Sequence, residues 1–266
     1  MNSENILKKY FDKVYTEIDF VKKTYNSLKT FGFSDENSIA ATCICRDEIS
    51  QSLRSIIKHM WGEAFNLSSL GGMFFAGRTG LKAAMHHAPI VEGKERYVFY
   101  ALPHIAIDGE GRMGICRRAG REGDSIACGA LAAFQKEMAN PPTSPFAKGG
   151  VNNIPPLPST LTEVRGLLKG GEVGLIDYDD IEYSLIRMRL LREIPYGYVP
   201  DLLELTKITL KAIQADLKTT ISKVVDTNKS DYAVITGIQI HGPDANYVWP
   251  AEYYAIVNGK KQEITI

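Results

Sequence analysis

Apolar residues recur every three or four positions in several segments of the chain, which is the spacing of an amphipathic helix. The longest such segment runs from residue 4 to residue 32, where Gly32 is expected to end it. The same spacing predicts helices over about 178–193 and 200–224, and over EISQSLRSIIKHMWGEAF, residues 48–65. The pattern therefore predicts a helical N-terminus and two further helices in the C-terminal half.

Strand-like segments alternate with these helices. SIAATCIC (38–45) is a short apolar run, and RYVFYALPHIAI (96–107) is rich in β-branched and aromatic residues, with a strand expected to end near Pro103. DYAVITGIQI (231–240) has the same composition, and the C-terminal EYYAIVNGKKQEITI predicts a hairpin that turns at Asn258-Gly259. These segments supply the strands of a central sheet.

Strands that alternate with helices are typical of an α/β fold. We predict a mainly parallel central sheet flanked by helices, with N-terminal helices and a C-terminal hairpin. The predicted division is an N-terminal helical segment, residues 1–40, followed by one α/β domain, residues 41–266. Residues 141–160 contain six prolines and predict a long connection within that domain.

Composition narrows the function classes. The 266 residues are 44% hydrophobic, and 31 basic residues balance 31 acidic ones, so the basic surface typical of nucleic-acid binding is not expected. Charges interrupt the first 20 residues every few positions, which fits neither a signal peptide nor a membrane span. We therefore predict a cytoplasmic protein, or an organellar one if a transit peptide has been removed, with no nucleic-acid or membrane partner.

Four cysteines are too few for a disulfide scaffold in a chain of this length. In a reducing compartment, cysteines are more often ligands or catalysts than bridges. Cys45 and His104 each fall where a predicted strand ends, which is where α/β sheets bind ligands. Cys128 falls inside a helix predicted to begin at Asp124 or Ser125, where the helix dipole favours a thiolate.

Two thiolates and one imidazole are ligands that zinc prefers, and a catalytic zinc site keeps a fourth position open for water. Spacings of 59 and 24 residues separate Cys45, His104 and Cys128, so the sequence contains no short ligand pair. A thiol nucleophile formed by Cys128 and His104 is an alternative. Cys43 and Cys116 are expected to be structural, and His241 either lines the same sheet edge or belongs to a loop.

The glycine-rich segment GGMFFAGRTG, residues 71–80, fits a phosphate-loop pattern with Arg78 in place of lysine. No clear strand precedes it, as that motif requires, so nucleotide binding is not favoured. We expect its glycines, including Gly72, to let the backbone pass close to a small substrate pocket. Phe74 and Phe75 are expected to form the walls of that pocket, unless they belong to the core.

Five segments of the chain resemble the limiting-carbon-dioxide-inducible B/C proteins, a group similar in fold to β-carbonic anhydrases and sometimes called the theta class. The segments are CRDE (45–48), GGMFFAGRTG (71–80), PHIAIDGEGRMG (103–114), GREGDSIACGAL (120–131) and DYAVITGIQIHG (231–242). The resemblance implies a zinc ion bound by Cys45, His104 and Cys128. It also implies a homodimer that hydrates carbon dioxide reversibly to bicarbonate by a zinc-bound hydroxide.

The resemblance also implies a role for Asp47, which corresponds to the aspartate of the β-class Cys-x-Asp motif. In that class an arginine four residues after the cysteine pairs with the aspartate, but here the position holds Ile49. Arg46, Arg54 and Arg78 are the candidate replacements, and we favour Arg78 because a flexible glycine loop could bring it in.

Two other activities remain open at this point. The same scaffold could hydrolyse carbonyl sulfide or carbon disulfide. Alternatively, the protein could be a catalytically weak zinc protein of a carbon-concentrating complex.

Overall fold

The structure is a computed structural model, and it describes residues 3–139, 178–195 and 198–266. The proline-rich connection predicted over residues 141–160 lies outside these ranges. None of the helices within them is long and apolar enough to cross a membrane.

The described chain forms helices and strands in alternation. The helices are α1 (Ser3–Leu7), α2 (Glu17–Lys29), α3 (Gln51–Trp61), α4 (Gly77–Met85), α5 (Gly129–Ala139), α6 (Ile181–Leu190) and α7 (Leu202–Val224). The strands are β1 (Tyr15–Thr16), β2 (Ile39–Ile44), β3 (Ala64–Asn66), β4 (Ile90–Val91), β5 (Lys94–Leu102), β6 (His104–Ala106), β7 (Ile115–Cys116), β8 (Ser125–Ile126), β9 (Ser230–His241), β10 (Asn246–Val257) and β11 (Lys260–Glu263).

Nine of these strands form one sheet with the order β1-β10-β9-β5-β2-β3. From β3 through β2 and β5 to β9 the neighbours are parallel, and β6 continues beside β9 after β5 has ended. Beyond β9 the sheet is antiparallel, through β10 to β1 and β11. The α/β class is thus confirmed, with a parallel half and an antiparallel C-terminal half.

Each face of the sheet is covered by helices because both faces are apolar. Ala41, Cys43 and Cys45 point to the face covered by α4, α5 and α7, whereas Ala40 and Ile44 point to the face covered by α2 and α3. This alternation follows from the two-residue period of a strand. The second face is closed by large buried side chains: Phe20, Leu53, Trp61 and Tyr100.

The prediction of a single N-terminal helix over residues 4–32 is wrong, because two helices, α1 and α2, are separated by a segment that includes β1. Thr16 ends β1 and caps α2, because its hydroxyl accepts a hydrogen bond from the backbone N–H of Asp19. The segment before it is held by the indole of Trp249, which donates to Asp12 over 2.7 Å. Helical spacing of apolar residues continues through this break, but the cap and the strand pairing decide the local structure.

The predicted helix start near Ser125 and the predicted C-terminal hairpin can also be compared with the structure. Ser125 does not begin a helix but lies in β8, which pairs with β7, and α5 begins only at Gly129. The predicted C-terminal hairpin is confirmed, with Asn258 and Gly259 at φ values of 51° and 73°. Positive φ at both positions is the requirement of a two-residue type I′ turn.

Candidate metal centre

Three elements bring Cys45, His104 and Cys128 together. Cys45 directly follows β2, and His104 opens β6 immediately after Pro103 has ended the pairing of β5. Cys128 directly precedes α5, where its carbonyl accepts the N–H of Ala132, so it lies at the helix start rather than inside the helix as predicted. The parallel strands therefore end at one edge of the sheet, where the predicted donors meet.

The geometry of these donors fits a metal ion. Their three ligand atoms all lie within 4.8 Å of one another, and all three side chains are buried. The sulfurs of Cys45 and Cys128 are 3.9 Å apart. Tetrahedral zinc with two thiolates at about 2.3 Å would place the sulfurs ~3.8 Å apart. The donor set could thus hold zinc with little rearrangement.

The imidazole of His104 supplies an independent test of this fit. Its Nδ1 lies 3.0 Å from Nε2 of His241. Its Nε2 is buried and has no hydrogen-bond partner of normal geometry among the described residues, although the ring lies near enough to Cys45 to help lower the pKa of that thiol. A buried polar atom without a partner is costly, so an unpartnered nitrogen beside two sulfurs points to an ion.

The two thiols differ in acidity because one donates to the other. The hydrogen bond with Cys128 lowers the pKa of Cys45 against the opposing effect of burial, and His104 beside it acts in the same direction. The same hydrogen bond and burial raise the pKa of Cys128, although backbone N–H groups at the start of α5 act the other way. Burial also raises the pKa of Cys43, whose thiol donates to the carbonyl of Gly72 over 3.2 Å, in keeping with a structural role.

Asp47 lies beside the donors and is paired with Arg118. Its Oδ2 is 3.9 Å from Nε2 of His104. Two parallel hydrogen bonds of 2.7 and 2.8 Å join the guanidinium of Arg118 to its two oxygens. Burial raises the pKa of Asp47, but the hydrogen bonds from Arg118 outweigh this effect and hold the pKa at about 2. Asp47 is therefore ionised throughout the physiological range.

The arginine expected at Asp47 was Arg78, and the structure places another residue there. Arg78 lies exposed on α4, whereas Arg46 pairs with Glu182 and Arg54 is carried on α3. Arg118 also donates to Glu48 and to the carbonyl of Ile126. It lies in the connection between β7 and β8, and these bonds hold its side chain beside the centre. The only sequence signal was the basic cluster that contains Arg118, and the acidic residues after it made that cluster resemble ordinary surface.

The centre opens into a cavity of about 660 Å³. Besides Cys45, Asp47, Arg118 and Cys128, the cavity is lined by apolar side chains and by charged residues of both signs, which are Arg46, Glu48, Arg121 and Asp124. The apolar ones are Leu70, Ile126 and Ala130. Ile126 is half-exposed at the mouth of this cavity.

The predicted pocket residues Gly72, Phe74 and Phe75 are not part of the described lining of this cavity. Phe74 is buried in the core beneath α4, and Phe75 packs partly buried against the same core. The backbone of Gly72 passes under the end of β5, where a Cβ atom would lie 2.8 Å from the carbonyl oxygen of Leu102. The glycine is thus needed for close packing against the strand.

An α/β sheet with a buried Cys-His-Cys donor set at its strand ends defines a candidate metalloprotein. The family model described as limiting CO2-inducible proteins B/C beta carbonic anhydrases matches residues 14–147 and 159–257. The chain belongs to this family, which confirms the resemblance found in the sequence.

Solved structures agree with this assignment. The crystal structure of limiting CO2-inducible protein LCIB is similar with a TM-score of 0.73 and 35% identity, over 99% of this chain and 98% of that one. PtLCIB4, a homolog of LCIB, is 21% identical with a TM-score of 0.70, over 98% of this chain and 99% of that one, which shows the fold alone. No curated protein matches this chain significantly.

Proposed function

We propose that this protein is a zinc carbonic anhydrase that hydrates carbon dioxide reversibly to bicarbonate. Cys45, His104 and Cys128 would hold the zinc ion, and Asp47 with Arg118 would form the polar pair beside it. The observation that carries the proposal is the unpartnered Nε2 of His104, which lies with the two sulfurs within 4.8 Å and beside an ionised carboxylate.

Zinc bound at this centre would act as a Lewis acid and lower the pKa of a bound water, giving a nucleophile near neutral pH. Asp47 accepts a hydrogen bond from water at the mouth of the centre and so orients it. Because the pKa of Asp47 is about 2, its carboxylate does not hold a proton at neutral pH and acts by orientation. The proton released by hydration leaves to solvent through the cavity.

Arg118 keeps Asp47 in place. The two hydrogen bonds of the guanidinium occupy both carboxylate oxygens, which holds Asp47 away from the metal position. Arg118 is mostly buried, with 16% of its side chain exposed, so water competes little for these bonds. This pairing replaces the one predicted for Arg78.

The cavity beside the centre suits a small neutral substrate. Leu70, Ile126 and Ala130 give it an apolar surface beside its charged residues, and a small neutral molecule such as carbon dioxide can contact that surface. In line with the family, we also propose that the active protein is a homodimer, which light scattering of the purified protein tests. A cytoplasmic location stays a prediction from the sequence.

Stopped-flow carbon dioxide hydration, with zinc quantified in the same samples, tests the proposal. We expect one zinc per chain and hydration above the buffer background in the wild type. Cys45→Ser should lose both, because an alcohol is a poor replacement for a thiolate ligand.

Cys116→Ser is the matched control, since it removes a thiol outside the donor set and should keep zinc and activity. Background hydration by zinc-loaded wild type would overturn the carbonic anhydrase proposal. Hydrolysis of carbonyl sulfide or carbon disulfide by that same sample would assign the other activity to the scaffold.

A further inference from the structure

A second histidine stands behind the candidate ligand His104. His241 ends β9 and Asn246 begins β10, and these two residues face each other directly in the antiparallel register. Nε2 of His241 lies 3.0 Å from Nδ1 of His104, and Nδ1 of His241 lies 2.9 Å from Oδ1 of Asn246. These three side chains form a continuous row, which we call the imidazole relay.

The direction of the hydrogen bonds in the imidazole relay follows from its outer end. The amide nitrogen of Asn246 donates to the hydroxyl of Ser52 over 3.0 Å, and its carbonyl oxygen faces Nδ1 of His241. An oxygen can only accept, and therefore Nδ1 of His241 carries the proton and donates. Nε2 of His241 is then an acceptor, which fixes the proton of His104 on Nδ1 and leaves a lone pair on Nε2.

The surroundings hold this arrangement in one orientation. His241 is only 5% exposed, and both its ring nitrogens are engaged within the row. Asn246 and Ser52 lie beside the buried carboxyl group of Glu17 on α2, where they act to lower a pKa that burial raises. That carboxyl group also accepts a hydrogen bond of 2.6 Å from Gln239. The imidazole relay thus contains side chains from β6, β9 and β10, and Ser52 on α3 binds its outer end. Glu17 on α2 lies next to that outer end.

We propose that His241 and Asn246 are positioning residues that fix the tautomer of His104 and so present Nε2 to the metal. The inference rests on the metal site of the proposed function and does not require that the site be catalytic. Outer partners of a metal-bound histidine orient the ring and typically contribute about 10- to 100-fold in metal affinity. Here the acceptor is a second imidazole rather than a carboxylate or a carbonyl group.

The experiment measures zinc affinity by competition with a chromophoric chelator, without carbon dioxide. His241→Leu removes the acceptor of the Nδ1 proton, and we expect zinc binding to weaken by about 10- to 100-fold. His241→Gln keeps an acceptor oxygen and should restore most of the affinity. Asn246→Ala leaves the tautomer of His241 unfixed and should give a weakening smaller than that of His241→Leu.

The tautomer itself is the second measurement. Nitrogen-15 chemical shifts of the zinc-free wild type should show His104 protonated on Nδ1, and this preference should be lost in His241→Leu. His86→Leu, which removes an exposed histidine elsewhere, is the control and should change neither readout. If His241→Leu fails to fold, His241→Gln, Asn246→Ala and the wild-type tautomer carry the test.

The outcomes separate this inference from the proposed function. Wild-type zinc affinity in His241→Leu and Asn246→Ala, or a zinc-free His104 protonated on Nε2, would overturn the imidazole relay and leave carbonic anhydrase activity intact as a proposal. Relay-dependent zinc affinity in a protein without hydration activity would overturn the proposed function and support the relay.

Discussion

Two glycine-containing segments of this molecule, residues 71–80 and 109–123, behave in opposite ways. The first is pressed against the sheet, so that Met73 and Phe74 are buried and the backbone of Gly72 touches the end of β5. The second is largely exposed, and added Cβ atoms at Gly120 and Gly123 would meet nothing within 4 Å. Yet the second segment, with Arg118, supplies the charged group of the candidate centre.

Both segments are rich in glycine but only the second lies beside the cavity, so glycine content alone does not locate a pocket. In the first segment the glycines allow close packing, and close packing leaves no space for a substrate. In the second they allow tight turns around β7 and β8, which lay Arg118 and Ile126 across the ends of the parallel strands. The pocket was predicted at the first segment, which instead forms part of the core.

Truncating one apolar side chain in the first segment and one just after the second should separate the two roles with the largest effect. We expect Phe74→Ala to lower the free energy of unfolding by about 3–5 kcal/mol, because it opens a cavity in the core. Ile126→Ala, at a half-exposed position, should change that free energy by less than about 0.5 kcal/mol. Urea unfolding of both variants measures the difference, and equal losses would contradict the distinction between the segments.

Neutralising one arginine in each segment tests which of them serves the centre. Arg118→Gln should keep zinc but lower kcat/KM for carbon dioxide hydration by about 10²-fold or more, since Asp47 loses its cation and its orientation. Arg78→Gln, the matched change on α4, should stay within about twofold of wild type, as surface substitutions usually do. A larger loss in Arg78→Gln than in Arg118→Gln would restore the pairing first expected from the sequence.

Adding one methyl group to a glycine in each segment gives a smaller effect. Gly72 and Gly120 have φ values of 72° and 73°. An alanine at either position would therefore be destabilised by about 1–2 kcal/mol, because a Cβ atom is disfavoured in the left-handed region. Only at Gly72 does the Cβ also meet a backbone oxygen, at 2.8 Å. Thermal unfolding should therefore show Gly72→Ala to be less stable than Gly120→Ala, and the reverse order would argue against close packing at Gly72.

The smallest effect is the pH dependence of stability that arises from Asp108, the residue directly before the second segment. Burial raises the pKa of Asp108, but hydrogen bonds from the N–H groups of Arg112 and Glu110 and from the side chain of Arg112 outweigh it and lower the pKa. A lowered folded-state pKa stabilises the protein above the unfolded value of about 4, and this contribution is lost as the pH falls through the folded value. Asp108→Asn should thus differ most in stability from wild type at neutral pH and least in acid, measured by urea unfolding. A difference that grows in acid would contradict this sign.

Periodicity and composition were sufficient for several features of this protein. Helical spacing predicted α3, α6 and α7, apolar and β-branched runs predicted β2, β5 and β9, and Asn258-Gly259 predicted the last hairpin. The residue types that zinc prefers, placed where strands end, led to Cys45, His104 and Cys128 as candidate ligands. These features depend on local spacing or on side-chain chemistry, both of which are written in the sequence.

Tertiary structure alone decided how distant segments meet at the strand ends. Asp47 and Arg118 are 71 residues apart, and His104 and His241 are 137 residues apart. No local pattern encodes such pairs, because their contact depends on the order of strands in the sheet and on the way β7 and β8 fold over its edge. The break between α1 and α2 has the same origin, since β1 forms only where β10 is present to pair with it.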